Sequence, residues 1–384
     1  MSRVVAIGIF LLSLTSWPVA IVLNKLNILK SERAVLLAGA LYIGVVLVAT
    51  LFLFRRNFRK VDPFMYAFSL FCVDATSSFF NALESDGYLK VPQLSNVSSV
   101  EPYLETAHGI MTSYWNGIVH FILCLASVAL YTNRDSHREV ILYWAGSLLN
   151  SMVVLLPACA TGNIGIKAST LFNLLYVVLP VVVIFYYIEK RPFQARTFVK
   201  YETILKRPVA LLFLAYYLAA IVLAVSRGLT VLGGRTSGIT FLNKYEPYLK
   251  DPSGFPKFQA LTYEYLFVVY YLVAIYGLFN PGQHWMADWS LVHAGAAAQA
   301  QFSYISSSLH RLTPRDYQSP RTGTPAIVFW TVNLALFIVP HLFAWWCQRD
   351  PENFGRTYTV DLATPVQTYT VSSSRRTVRS SKAE

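Results

Sequence analysis

Ionisable and amide side chains recur inside stretches of this chain that are otherwise apolar, and they fall into three groups. The first is Asp74, Ser77, Ser78, Asn81 and Glu84, a polar stripe at helical spacing that points inward. The second is His108, Tyr114, Trp115, Asn116 and His120. There His108 and Trp115 share one helix face, and Asn116 and His120 an adjoining one. The third is His293, Gln299, Gln301, Ser303 and His310. Asn150, Arg227 and Glu264 stand singly in other apolar runs. Carboxylates and imidazoles at such depth can move a proton or hold the polar end of a ligand. They are costly in a membrane, so a functional role is the default reading. The structural alternative is hydrogen bonding between helices, worth about 1 kcal/mol or less per bond. Taken singly, each residue fits that role, and Arg227 fits a side chain reaching to the membrane interface. Taken together, the set implies a polar cavity.

The elements that must position these groups are membrane helices. The chain of 384 residues is 55% hydrophobic and only 14% charged, well below the roughly 25% charge of soluble domains. Spans of about 20 apolar residues are expected at roughly 5–24, 34–54, 64–83, 109–131, 139–160, 168–188, 207–231, 260–279, 286–309 and 325–347. The ninth is the least hydrophobic. The first reads as a retained helix, because no clear small-residue cleavage site follows it. The fold class is therefore all-α membrane, a polytopic bundle of about ten helices.

Orientation follows from the basic residues. Arg55, Arg56, Arg59 and Lys60 follow the second span, Lys190, Arg191, Arg196, Lys200, Lys206 and Arg207 follow the sixth, and Arg375, Arg376, Arg379 and Lys382 lie in the tail. All are assigned to the cytosolic side. The glycosylation sequon at Asn96 then faces the lumen or exterior. The net charge of +12 sits in short loops and in the tail, which argues against nucleic acid as a partner. Cys72, Cys124, Cys159 and Cys347 have no metal-ligand spacing and read as packing residues. No P-loop, His-Glu-x-x-His or Gly-x-Ser-x-Gly motif occurs, and nothing implies a cofactor. Residues 349–384 are rich in Ser, Thr and Arg and read as a disordered cytosolic tail.

The tetrapeptide Glu-Pro-Tyr-Leu occurs at Glu101–Leu104 and again at Glu246–Leu249. One helix later Ala145-Gly146 is followed by Asn150, and Ala294-Gly295 by Gln299. The two offsets are similar, about 145 and 149 residues, which argues for duplication. Two N-terminal helices (1–60) then precede two four-helix units, 61–190 and 207–348. Internal repeats of this kind often frame a pocket near the bilayer midplane. The paired glutamates read as helix-dipole or turn-capping groups.

Glu101-Pro-Tyr-Leu-Glu-Thr-Ala-His-Gly with Tyr114-Trp115-Asn116-Gly117 and His120 resembles the transmembrane 6 superfamily. So do Glu246-Pro-Tyr-Leu-Lys-Asp-Pro and Gln299-Ala-Gln-Phe-Ser303. The likeness covers nearly the whole chain to about residue 350. That family is similar to proteins with the EXPERA domain, a four-helix module found in the emopamil-binding sterol isomerase and the sigma-2 receptor. The resemblance implies two such modules and a role in lipid handling. It implies triglyceride and cholesterol metabolism, the lipidation of lipoproteins, and lipids, sterols or lipid-handling proteins as partners. It places the chain in the endoplasmic reticulum or the intermediate compartment before the Golgi, or alternatively in the lysosome.

Moving a sterol double bond needs an acid and a base on opposite sides of a cation. Glu84 could match the first glutamate of the isomerase, but Phe80 stands where its histidine would be. His108 stands where its second glutamate would be, seven before Trp115. The acid–base set is incomplete, so the expectation is a lipid- or sterol-binding protein without catalysis. A sterol isomerase using Glu84 and His108, and a scaffold without a pocket, are the alternatives. The expected ligand-facing residues are Asp74, Asn81, Glu84, His108, Tyr114, Trp115, His120, Asn150, Arg227, Glu264, His293, Gln299 and Gln301.

Overall fold

Long apolar runs with few interior breakers can satisfy their backbone in a bilayer only as helices, and that is how this chain folds. The computed structural model describes residues 2–26, 31–89, 101–162, 172–190, 203–233, 242, 244–350 and 354. Asn96 and almost all of the tail lie outside the described residues. The first rod is α1 (Ser2–Ser13) followed by α2 (Ser16–Lys25), and the second is α3 (Glu32–Asn57). Then come α4 (Phe64–Ser85), α5 (Ala107–Trp115), α6 (Phe121–Asn133), α7 (Arg138–Thr161) and α8 (Leu175–Glu189). The second half holds α9 (Pro208–Val231), α10 (Phe255–Thr262), α11 (Val268–Phe279), α12 (Met286–Leu309) and α13 (Gly323–Arg349).

The two halves repeat an unusual sequence of local structures. Pro102–Glu105 and Pro247–Lys250 each form a short 3₁₀ turn opened by proline. Thr106 then caps α5 by accepting from the Gly109 N–H at 3.1 Å. Asn116–His120 is a π-helical turn joining α5 to α6, and Tyr263–Phe267 is another joining α10 to α11. Such insertions are rare and often sit at functional sites.

Among the described residues, eight helical segments are long and apolar enough to cross a membrane by themselves. The remaining rods, α4 and α12, carry more polar residues and are shielded by their neighbours. The centre of the bundle is the α7–α12 pair, where the backbones come close at two glycines. A Cβ at Gly146 would fall 1.8 Å from the Val292 carbonyl oxygen, and one at Gly295 would fall 1.9 Å from that of Tyr143. Packing around this pair is reciprocal, with α5 of the first half against α12 and α10 of the second half against α7.

Charged clasps tie the halves at both ends. At one end Arg138 pairs with Asp288 at 2.7 Å and donates from Nε to the Tyr187 carbonyl at 2.6 Å. At the other, Asp86 accepts from His310 Nε2 at 3.1 Å, from Arg311 Nε at 3.2 Å and from the Tyr114 hydroxyl at 3.3 Å. The cysteines are free thiols and buried, as packing residues would be.

Candidate functional site

Asp74, on the inward face of α4, lies where two cavities meet. The larger is about 280 Å³ and lies between α2 and α3 on one side and α4 and the start of α8 on the other. Its walls are mostly apolar, including Val19, Leu23, Ile43, Leu70 and Phe71. The smaller is about 50 Å³ and more polar, and it reaches Thr112, Asn116, His120 and Ser151 deeper in the bundle. Asp74, Glu101, Asn173 and Tyr176 line both.

The carboxylates have hydrogen-bonding neighbours but no cation among the described residues. Asp74 accepts from Asn116 Nδ2 at 3.2 Å and from the Tyr176 hydroxyl. Asn116 Nδ2 also donates to Ser78 Oγ at 2.8 Å. Glu101 is half-buried and its surface opens on the cavities. Burial, with the Asp74 carboxylate nearby, pushes the Glu101 carboxyl up to about 7, against a hydrogen bond from Tyr103 that lowers it.

Behind Asp74 the polar groups form a buried network. His120 Nδ1 meets Asn116 Oδ1 at 3.0 Å and its Nε2 meets Ser147 Oγ at 2.8 Å. Trp115 Nε1 donates to the same Ser147 oxygen at 2.8 Å. Deeper in, Asn150 Nδ2 donates to Gln299, and Gln299 donates to Ser303, which sits 3.3 Å from Thr112. Asn150 also lies 3.4 Å from Gln259 Oε1. The network crosses from the first half into the second, so most of its members hold helices together.

The remaining expected residues take other places. Neither Glu84 nor His108 lines either cavity. His108 is buried and stacks on Phe255, with ring centroids 4.6 Å apart. Tyr114 turns to Asp86 in the end clasp. Asn81 is half-buried and also lines neither cavity. His293 is enclosed by Phe267, Tyr270 and Tyr271, stacked on Tyr270 at 4.1 Å. Gln301 donates to the Tyr263 hydroxyl at 2.6 Å. Glu264 packs against Gly228, where a Cβ would lie 2.0 Å from its Oε2.

Arg227 does not reach the interface. It is buried, and its guanidinium forks onto Glu246, with Nε donating to Oε2 at 2.8 Å and Nη2 to Oε1. Nη2 also donates to Asn333 at 2.9 Å, and the Tyr304 hydroxyl donates to Glu246 Oε2 at 3.1 Å. Neither Glu101 nor Glu246 caps the turn that follows it. The cap reading fails because each carboxylate points into the bundle, Glu246 at a cation and Glu101 at the cavities.

Sequence reasoning missed Glu101 and Tyr103 as cavity walls and Glu246 as the partner of Arg227. The signal was available, because both glutamates begin the repeated tetrapeptide. It also missed Tyr176, Asn173, and the contribution of α2 and α3, whose apolar sequences mark no particular face.

The first half also matches known sequences. Residues 15–198 match the family described as "Transmembrane 6 superfamily member 2-like, transmembrane domain". The mouse (Mus musculus) protein named transmembrane 6 superfamily member 2 is 34% identical over 352 residues, covering 89% of this chain and 92% of that protein. The chain belongs to the transmembrane 6 superfamily. The human (Homo sapiens) member of the same name is 33% identical over 356 residues, 89% of this chain and 93% of that protein. No solved structure matches. Family and helices together define a multi-pass membrane protein.

Proposed function

We propose that this superfamily member binds a sterol or similar lipid and regulates lipid metabolism without catalysis of its own. Its setting would be the early secretory membranes, and its output triglyceride and cholesterol handling, including the lipidation of lipoproteins. The observation that carries the reading is the cavity between α2–α3 and α4–α8, apolar along its walls and ending on Asp74 and Glu101. Its volume of about 280 Å³ is near the lower end for ligand pockets, and its few polar groups converge at one end, as specific pockets do. A sterol presents that pattern in reverse, with a rigid apolar body and one hydroxyl. The repeated 3₁₀ and π-helical turns support two tandem EXPERA-type modules, 61–190 and 207–348, with the ligand held by the first and by the N-terminal helices.

The non-catalytic reading is supported by the placement of Glu84 and His108 outside both cavities. The test is labelling of the full-length protein in membranes with a photoreactive sterol. Label that excess sterol displaces should map to α2, α3, α4 or α8, and Asp74→Ala should reduce it about tenfold, the loss of one good polar contact. Absence of displaceable label on these helices rejects the reading.

A further inference from the structure

A second cleft lies away from the Asp74 site, at the end of the bundle where α3 and α6 finish and α7 begins. It is an open cleft of about 700 Å³, and Arg59, Lys60, Arg134 and His137 are among the residues that line it. Asp135 is the sole carboxylate among its lining residues. Arg59, Lys60 and Arg134 form no ion pair among the described residues. Arg138, next along the chain, is by contrast held by Asp288.

The cleft is held in shape. Phe58 and Tyr131, which also line it, pack with ring centroids 6.0 Å apart. The Tyr131 hydroxyl accepts from the Asp62 N–H at 3.0 Å and donates to the Lys60 carbonyl at 3.3 Å. These bonds anchor the connection that carries Arg59 and Lys60. Arg134 ends α6 in the left-handed conformation, φ 64°, a place that favours glycine or asparagine. An arginine is thus kept among the residues lining the cleft at some cost in backbone strain. The N-terminus of α7 opens beside it, and His137 makes no side-chain cap there, which adds the positive end of a 24-residue helix.

We infer that this cleft binds the phosphorylated headgroup of an anionic lipid. Basic pockets between helix ends at the membrane boundary suit such groups. A lipid is favoured over soluble phosphate because the exposed apolar side of α3, with Val45, Val48 and Phe52, leads up to the cleft and offers acyl chains a track.

The test uses purified full-length protein in neutral detergent. Dioctanoyl phosphatidylinositol bisphosphate should bind at least about tenfold tighter than dioctanoyl phosphatidylcholine, and more weakly as salt rises. The triple variant Arg59→Gln/Lys60→Gln/Arg134→Asn should lose at least about tenfold in affinity, with asparagine chosen because it tolerates a positive φ. If the triple variant does not elute as folded protein, Lys60→Gln alone is read, with about threefold weakening expected. Unchanged affinity in the folded variant overturns the assignment. Equally tight binding of soluble inositol trisphosphate overturns the lipid as its source.

Discussion

In the first half of the molecule Glu101 opens on a cavity beside a second carboxylate, Asp74, with no cation among the residues that line it. In the second half Glu246, which begins the same tetrapeptide, is buried under a forked Arg227 and a tyrosine hydroxyl. Helix α9, which precedes the second tetrapeptide as α4 precedes the first, carries Ala219, Ala220 and Ala224 and no acid. Tyr217, Tyr263, Phe267, Tyr271 and Phe343 belong to the core of the second half. The same tetrapeptide thus opens on a cavity in the first half and on a charge-paired cluster in the second. The proposed function assigns ligand recognition to the first half and support to the second.

The comparison can be broken most severely at Arg227. Arg227→Met leaves Glu246 buried without its cation and should cost about 3–5 kcal/mol, read as a large drop in melting temperature. Replacing both partners, Arg227→Met with Glu246→Gln, should recover most of that loss. The central contact comes next. Gly146→Leu must push α7 away from the Val292 backbone, costing about 1–3 kcal/mol or more in unfolding experiments, while the same change at exposed Gly44, where a Cβ meets nothing within 4 Å, should cost little. Asp74→Ala makes the first half resemble the second. It should lower sterol labelling without lowering the melting temperature, because it removes a half-buried carboxylate with no cation among the residues lining its cavities. The last effect, at Glu101, is read as a pH slope. Its carboxyl is raised from 4.5 to about 7, so the folded protein holds a proton that the unfolded chain releases. That contribution to stability is full below about pH 4.5 and is lost as pH rises toward 7. Glu101→Gln should flatten the pH dependence of melting across this window, and an unchanged slope would contradict the cavity environment assigned to Glu101.

Much of this architecture is legible in the chain. Hydropathy locates the helices, and the ninth span was expected at residues 286–309, where α12 lies. Its low hydrophobicity has a physical cause: it is surrounded by protein, so Gln299, Gln301 and Ser303 answer to hydrogen-bond partners rather than to lipid. The Glu-Pro-Tyr-Leu repeat shows where each half turns back into the membrane. The use made of each glutamate is not legible, because it depends on a residue from another helix: Arg227 in one case, Asp74 in the other. His108 and His293 are expected to face a ligand, yet His108 stacks on Phe255 and His293 on Tyr270. Spacing puts a histidine on a face without revealing what that face meets. The role of α2 and α3 is the least legible, since a uniformly apolar helix carries no mark of the side that walls a cavity.

The most direct measurement is an electron-microscopy structure of the full-length protein in a lipid nanodisc with added sterol. Density should appear between α2–α3 and α4–α8 with its polar end at Asp74 and Glu101, while the second half stays closed around Arg227 and Glu246. Density lodged instead between α9 and α11, or an empty first cavity in protein shown to have bound sterol, would contradict the division of labour between the two halves.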